Sequence, residues 1–423
     1  MQQDHIQVEE TIWQNRVFMK LFASYSVSML GQWFDIVAVL ILFSYVWQVN
    51  PMMIALIPVA YALPQVLLGQ FAGVLTDKIH KVKIMMVSDF VTAALTFFLF
   101  FTNNPWLALL ILSLRSTVNV VHGPAQQGLI KLVVKEQLIM KAITLNGSVN
   151  QLSKIIGPFM GASLISFVSP KICILINAIA FTISAFILLF ILLDKQMVKQ
   201  TTVPSKSTDS DESFWTAWLQ GWKLIIKKKV LLISVTASFI GFIAIQMVDI
   251  QFPIFFREIA PNLPEITGWL MGASGLGAFV MIMILNYKTL KHFGVLFGLS
   301  MLLMGVGFGG IGLLREGFSL VLPVLLGFMI GLGVGLLSIT LQYLIQTQTT
   351  ESEVGRVSGI VNSILSLTVL LPPIIGGVLV QMFGVVALFV VSGAFLFFLG
   401  IGLMLSNSLF NDKKEMIEEQ VRV

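Results

Sequence analysis

Twelve apolar runs of about twenty residues or more follow one another along the chain. They lie near 17–47, 52–76, 84–102, 105–129, 147–168 and 171–193, then 230–256, 264–287, 291–314, 317–341, 356–380 and 384–410. At about 1.5 Å per residue, twenty helical residues cross the ~30 Å hydrocarbon core of a bilayer. The pattern predicts an all-α polytopic membrane protein with twelve transmembrane helices. One long polar interruption, 194–229, separates a six-helix half, 1–193, from a second, 230–423, that ends in a short tail.

The two halves repeat each other at an offset of about 215 residues. Gln127, Leu129 and Ile130 meet Gln342, Leu344 and Ile345; Ser148 meets Ser363; Pro158 and Gly161 meet Pro373 and Gly376. Asp249 falls one residue from the position matching Asp35, whereas Arg115 is matched by Ile330. In the linker, residues through Glu212 are polar. Beyond them Trp215, Trp218, Trp222 and Ile225 recur at helical spacing beside Lys223 and Lys227 to Lys229. That pattern predicts an amphipathic helix, lying either on the inner leaflet or against the bundle.

Composition agrees with the run pattern. The chain is 57% hydrophobic and 11% charged, where soluble domains carry about 25% charge. Its net charge of +5 is spread over loops, with no basic stripe for nucleic acid. Lone Cys173 forms no internal disulfide. The four histidines are scattered, and no glycine is followed by lysine, so neither a metal or nucleophile constellation nor an ATP-binding loop can be written. No enzyme activity, cofactor or metal is expected. The first sixteen residues lack a basic n-region, so no signal peptide is expected. Placing the termini and even-numbered loops on one side collects roughly twenty basic residues there, against Lys171, Arg257 and Arg315 on the other. Both termini are therefore expected in the cytoplasm.

The informative residues are the polar ones inside apolar runs. Arg115 lies about 15 Å into its run, near the bilayer midplane. There it costs on the order of 2.5–3.5 kcal/mol and needs a partner. Asn119, His122 and Gln126 follow at spacings of 4, 3 and 4, one stripe of a helix. The stripe either lines a cavity or is a hydrogen-bonded packing seam. Ser24, Ser28, Gly31 and Asp35 form a similar stripe on the first helix. Asp35 beside Arg115 is either a carboxylate that exchanges a proton or a static charge pair. Asp249 is a second candidate proton site; Gln246 and Gln342 are further candidates for the cavity wall. Gly157, Pro158 and Gly161 mark a kinked, closely packed helix, and the Gly331-x-Gly-x-Gly335 run reads as helix packing.

Between the second and third runs stands Gly73, Asp77, Lys78, His80, Lys81 and Lys83. This stretch resembles the loop signature of the major facilitator superfamily, with Lys78 and Lys81 where arginines are common and His80 where glycine is usual. Arg115 is similar to the family's fourth-helix arginine, and Gly157-Pro158-x-x-Gly161 resembles an element of its antiporter branch. With the Leu30–Ala38 context of Asp35, the chain looks like the bacterial macrolide-efflux type of drug:proton antiporter. The resemblance implies parallel six-helix halves, a monomer in the bacterial cytoplasmic membrane amid membrane lipids, and alternating access around a midplane cavity. It implies export of hydrophobic or amphiphilic small molecules in exchange for protons. A lipid or lysolipid translocator, or a siderophore exporter of the same fold, is the alternative. Asp77, with Gly73, Lys78 and Lys81, would latch the cytoplasm-closed state.

Overall fold

The computed structural model describes residues 11–194, 222–285 and 290–407, without the side chains at 70, 74, 77, 351, 352, 355 and 356. Helices make up nearly all of it, and no strand occurs among the described residues. In the first half they are α1 (Arg16–Ile41, continued by a π-helical turn, Leu42–Val46), α2 (Pro51–Lys78), α3 (Lys81–Phe101), α4 (Pro105–Asn119), α5 (His122–Val133), α6 (Glu136–Ile165) and α7 (Pro170–Leu193). The second half has α8 (Lys229–Asp249), α9 (Phe252–Ile259), α10 (Ile266–Leu285), α11 (Phe293–Gly312), α12 (Val321–Gln348), α13 (Glu351–Phe383) and α14 (Val385–Leu405). Among the described residues eleven spans are long and apolar enough to cross a membrane, α4 and α5 counting as one. The remaining run, expected at 147–168, belongs to α6. That helix begins eleven residues earlier, at Glu136, and carries Lys141, Asn146, Asn150, Gln151 and Lys154 along its length.

Local sequence explains where the helices start and break. Asn104 caps α4 by accepting from the Trp106 and Leu107 amides, with Pro105 preset at the first position. Two runs expected to be unbroken are interrupted, both just before a proline. Pro124 has no amide to give Val120, and its ring crowds that carbonyl, so the helix pauses at 120–121 and restarts as α5. Pro253 does the same between α8 and α9. Gly384, at φ +84°, turns α13 directly into α14. Of the linker, the described residues hold a helical turn over 222–227 with Ile225 buried. Trp215 and Trp218, and with them the amphipathic helix expected there, lie outside the described residues.

By contact the chain forms two compact units whose borders fall inside helices. The first contains residues through Asp35, then Pro64–Gly157 and Lys171–Ser207. The second contains Ile36–Leu63, Pro158–Pro170 and the chain from Thr208 onward.

Glycine ridges hold the second unit together. Gly327, Gly331 and Gly335 on α12 face the backbone of Leu270, Ser274 and Ala278 on α10, matching steps of four along both helices. A Cβ at Gly327 would stand 2.8 Å from the Leu270 carbonyl oxygen, and one at Gly331 would run into Ser274. Small residues let backbones approach where apolar lipid gives no hydrophobic drive between helices. The Gly331–Gly335 run is thus a packing surface. Gly298 and Gly305 on α11 meet Gly400 and Gly393 on α14 in the same way. The Arg257 guanidinium at the end of α9 donates to the carbonyls of Ser44 (2.7 Å) and Val49 (3.3 Å), closing the backbone after the π turn.

Candidate functional site

The first unit gathers buried charge. Arg115 on α4 donates from Nη2 to Asp35 Oδ2 on α1 at 2.8 Å, with Asp35 fully buried and Arg115 3% exposed. This is the partner that an arginine at midplane depth requires. Gly31, one turn before Asp35, lies against Ala180 and Asn177 of α7 so closely that a Cβ there would stand 2.6 Å from the Ala180 Cβ. Its missing side chain brings α1 onto α7.

The polar stripe expected from Arg115 to Gln126 is divided by the pause before Pro124. Asn119 donates to Thr92 Oγ1 on α3 at 3.1 Å, and the Ser88 hydroxyl donates to the Val118 carbonyl at 2.9 Å. His122 turns to a residue that the sequence reading had not singled out. Its Nε2 lies 3.3 Å from Oδ1 of Asp89, an ion-pair distance off the line of a straight hydrogen bond. Asp89 is fully buried on α3; its Oδ2 accepts from the Ser184 hydroxyl of α7 at 2.5 Å, and Ser184 is 2.7 Å from Ser24 of α1. The signal was present in the run 84–102, where Asp89 stands with Ser88, Thr92 and Thr96 at helical spacing, about 12 Å from Lys81. The test that singles out Arg115 singles out Asp89 as well.

A cavity of about 710 Å³ opens beside these groups, lined entirely by the first unit. From α1 come Tyr25, Ser28 and Gln32, and from α2 Gln65; the α4–α5 break contributes Asn119, His122, Gln126 and Gln127. On α6 the wall is Asn146, Asn150 and Gln151, and Asn150 donates to the Tyr25 hydroxyl at 3.3 Å. The polar wall is made of carboxamides, hydroxyls and one imidazole, with no carboxylate, ammonium or guanidinium among the lining residues. Asn119, His122 and Gln126 are therefore at once cavity wall and, for the first two, packing seam.

The other residues singled out in the sequence lie elsewhere. Gln246 is half-buried and Gln342 exposed in the second unit, and neither lines this cavity. Asp249 is the last residue of α8, with its side chain exposed. Gly73 has open space at its Cβ position, and Lys78 is exposed. The Asp77 side chain lies outside those described. Lys81 donates to the Thr76 carbonyl at 2.9 Å, and its stem lies over Gly128, where a Cβ would stand 2.5 Å from Cε. Gly157 packs on Trp33, Pro158 sits inside α6, and Gly161 is buried. Lys154 is about 27 Å along α6. Its Nζ lies 6.0 Å from the centre of the Trp33 ring.

The comparisons with known proteins agree with this architecture. A family model described as the Major Facilitator Superfamily matches residues 21–371 and 264–419. An uncharacterised MFS-type transporter, YfiS of Bacillus subtilis (strain 168), is 28% identical over 97% of this chain and 98% of its own. Macrolide efflux protein A of Streptococcus pyogenes is 25% identical over 78% of this chain and 81% of its own. Among solved structures, a bacterial homologue of the human lysosomal transporter Spinster, in an inward-facing and unoccupied conformation, superposes with a TM-score of 0.70. It covers 95% of this chain and 98% of that one at 12% identity. The nucleoside transporter NupG gives a TM-score of 0.70 at 14% identity, covering 94% of this chain and 100% of that one.

Proposed function

Since the chain belongs to the major facilitator superfamily and is a multi-pass membrane transporter of small molecules, we propose that it is a proton-coupled exporter of amphiphilic compounds working by alternating access. The observation that carries this reading is the buried Asp35–Arg115 pair in the same unit as a cavity of about 710 Å³. A charge pair kept in a span at such cost marks a coupling site more often than a structural one. In this reading Asp35 exchanges the proton, Arg115 tunes it, and Asp249 is a second acid in the repeated half. The similarity to macrolide efflux protein A supports export of macrolide-like molecules. The uncharged, amide-rich wall supports a ligand bound through carbonyls and hydroxyls more than through a formal charge. The chain then works as two six-helix halves, 1–193 and 230–423, in the bacterial cytoplasmic membrane with both termini inside. Asp77 at the end of α2 stabilises the cytoplasm-closed state.

The test is accumulation of erythromycin in inverted membrane vesicles from cells with and without the protein. Expected is protein-dependent uptake that an uncoupler abolishes and that Asp35→Asn removes while erythromycin still binds. Protein-dependent flux that persists in the uncoupler overturns the coupled reading in favour of a passive translocator. Absence of erythromycin flux alongside uncoupler-sensitive movement of other amphiphiles overturns only the macrolide assignment.

A further inference from the structure

We propose that Asp89 and His122 form a proton-binding pair loaded from the cavity through His122, separate from the Asp35–Arg115 pair. The inference deepens the coupled reading above, but the binding step itself needs no transported substrate.

The two buried carboxylates differ in what faces them. Asp35 is held by a guanidinium, which keeps its charge at any accessible pH. While the two stay in contact the pair is balanced in its ionised form, so Asp35 takes its proton in the step of the transport cycle that parts it from Arg115. Asp89 faces an imidazole, which is able to give up its own charge. With the imidazole neutral, the Asp89–His122 pair buries one negative charge. One proton from water brings the pair to zero net charge, whichever of the two side chains carries it. The proton therefore belongs to the pair and not to either residue.

The route to the pair is set by layers. Ser24, Asp89, His122 and Ser184 come from α1, α3, α5 and α7 and form one polar layer. Leu21, Met85, Ala125 and Leu188 lie one turn away on the same four helices, at offsets of 3, 4, 3 and 4, and belong to one buried apolar cluster with Val17, Val82, Leu129 and Ile191. All four offsets run toward the side read as cytoplasmic, so a dry plug closes the layer from that direction. Asp89, Ser24 and Ser184 have no exposure at all, whereas His122 is 13% exposed and lines the cavity. The imidazole is the layer's contact with cavity water. Away from the plug the seam continues one turn on, through Thr92 and Asn119, toward the level of Arg115.

Besides the layer, these helices carry other charged or titratable groups. On α1 they are Arg16, Lys20, Tyr25 and the bound Asp35; on α3, Lys81 and Lys83; on α4, the bound Arg115. On α5 there is Lys131, beyond the plug, and on α7 Lys171 and Cys173, near its opposite end. Direct polar partners of the Asp89 carboxylate are His122 and Ser184.

The experiment counts protons on the purified full-length protein in detergent without substrate. A weakly buffered sample is taken from about pH 8 to about pH 5, and uptake is read with a pH dye. Asp89→Asn and the double variant Asp89→Asn/His122→Gln are expected to take up about one proton fewer than wild type, because each removes the negative charge that the proton neutralises. Asp89→Glu, which restores the carboxylate, recovers the missing proton. Elution profile and melting temperature identify variants that remain folded, and Asp89→Glu carries the test where Asp89→Asn does not fold. A wild-type count in the folded double variant, or no recovery in folded Asp89→Glu, overturns the proposal. So does loss of the proton in Asp35→Asn with the Asp89 variants unchanged, which leaves the coupled reading intact with Asp35 as its proton site. Because no gradient or substrate enters the measurement, a failure of coupled export in vesicles does not alter the count.

Discussion

The Asp35–Arg115 pair makes an asymmetric prediction about stability. Both side chains are buried, Asp35 completely and Arg115 to 3%, and removing one member of such a pair typically costs about 3–5 kcal/mol by leaving the other charge unpaired. At about 1.4 kcal/mol per tenfold, that is roughly a hundred- to several-thousand-fold loss in the folding equilibrium. The two single variants should not be equal, however. In Arg115→Met the Asp35 carboxyl can shed its charge by taking a proton, so the cost falls as pH is lowered. In Asp35→Asn the guanidinium has no such escape, and the cost stays near its full value throughout. The double variant Asp35→Leu/Arg115→Met, which removes both charges and keeps comparable bulk, should recover most of the loss, within about 1–2 kcal/mol of wild type. The assay is reversible unfolding in mixed micelles, followed by tryptophan fluorescence at two pH values, arranged as a double-mutant cycle. A cost below about 1 kcal/mol for Asp35→Asn would refute the reasoning, as would a double variant no better than the sum of the singles.

Two further outcomes follow from the packing and the charge pattern. Gly331→Ala drives a methyl group into the Ser274 backbone and should cost about 2–3 kcal/mol, the upper range for overpacking. Gly359→Ala on α13 meets open space and should be neutral or stabilising by up to about 1 kcal/mol; equal melting temperatures for the two variants would contradict the ridge. Lys206→Cys and Lys413→Cys should react with an impermeant maleimide only after cells are permeabilised, buried Cys173 contributing little background. Labelling in intact cells would reverse the orientation.

What the sequence made legible was the cost of charge in lipid. Arg115 demanded a partner, and Asp35 is that partner in the structure. Asp89 meets the same criterion, but a serine and two threonines around it blend into an apolar run. Its pairing with His122 was hidden for a second reason. The run 105–129 reads as one straight helix, and on a straight helix His122 falls into line with Arg115. Pro124 announces the break, but how far the chain rotates across it depends on the neighbouring helices. The start of α6 was illegible because its first three turns mix Glu136, Lys141 and Asn146 with apolar residues. Hydropathy alone begins the run only at 147. Glycine spacing, by contrast, carried the α10–α12 contact directly, since steps of four keep the bare positions on one face.

The borders of the compact units bear on how the chain is made. The second unit includes Ile36–Leu63 and Pro158–Pro170, segments translated long before the rest of it. Gly377 on α13 is shaped to receive Met52 and Ala55, and Gly268 on α10 to receive Pro158 and Ala162. Those early surfaces have no permanent cover until α10 and α13 leave the ribosome. Until then the α1–α7 segment waits in the bilayer with three of its helix ends unfinished. Biogenesis is thus a staged closure across the whole chain, and a nascent polypeptide stalled within the linker would present the quality-control machinery with a membrane-inserted but incomplete fold.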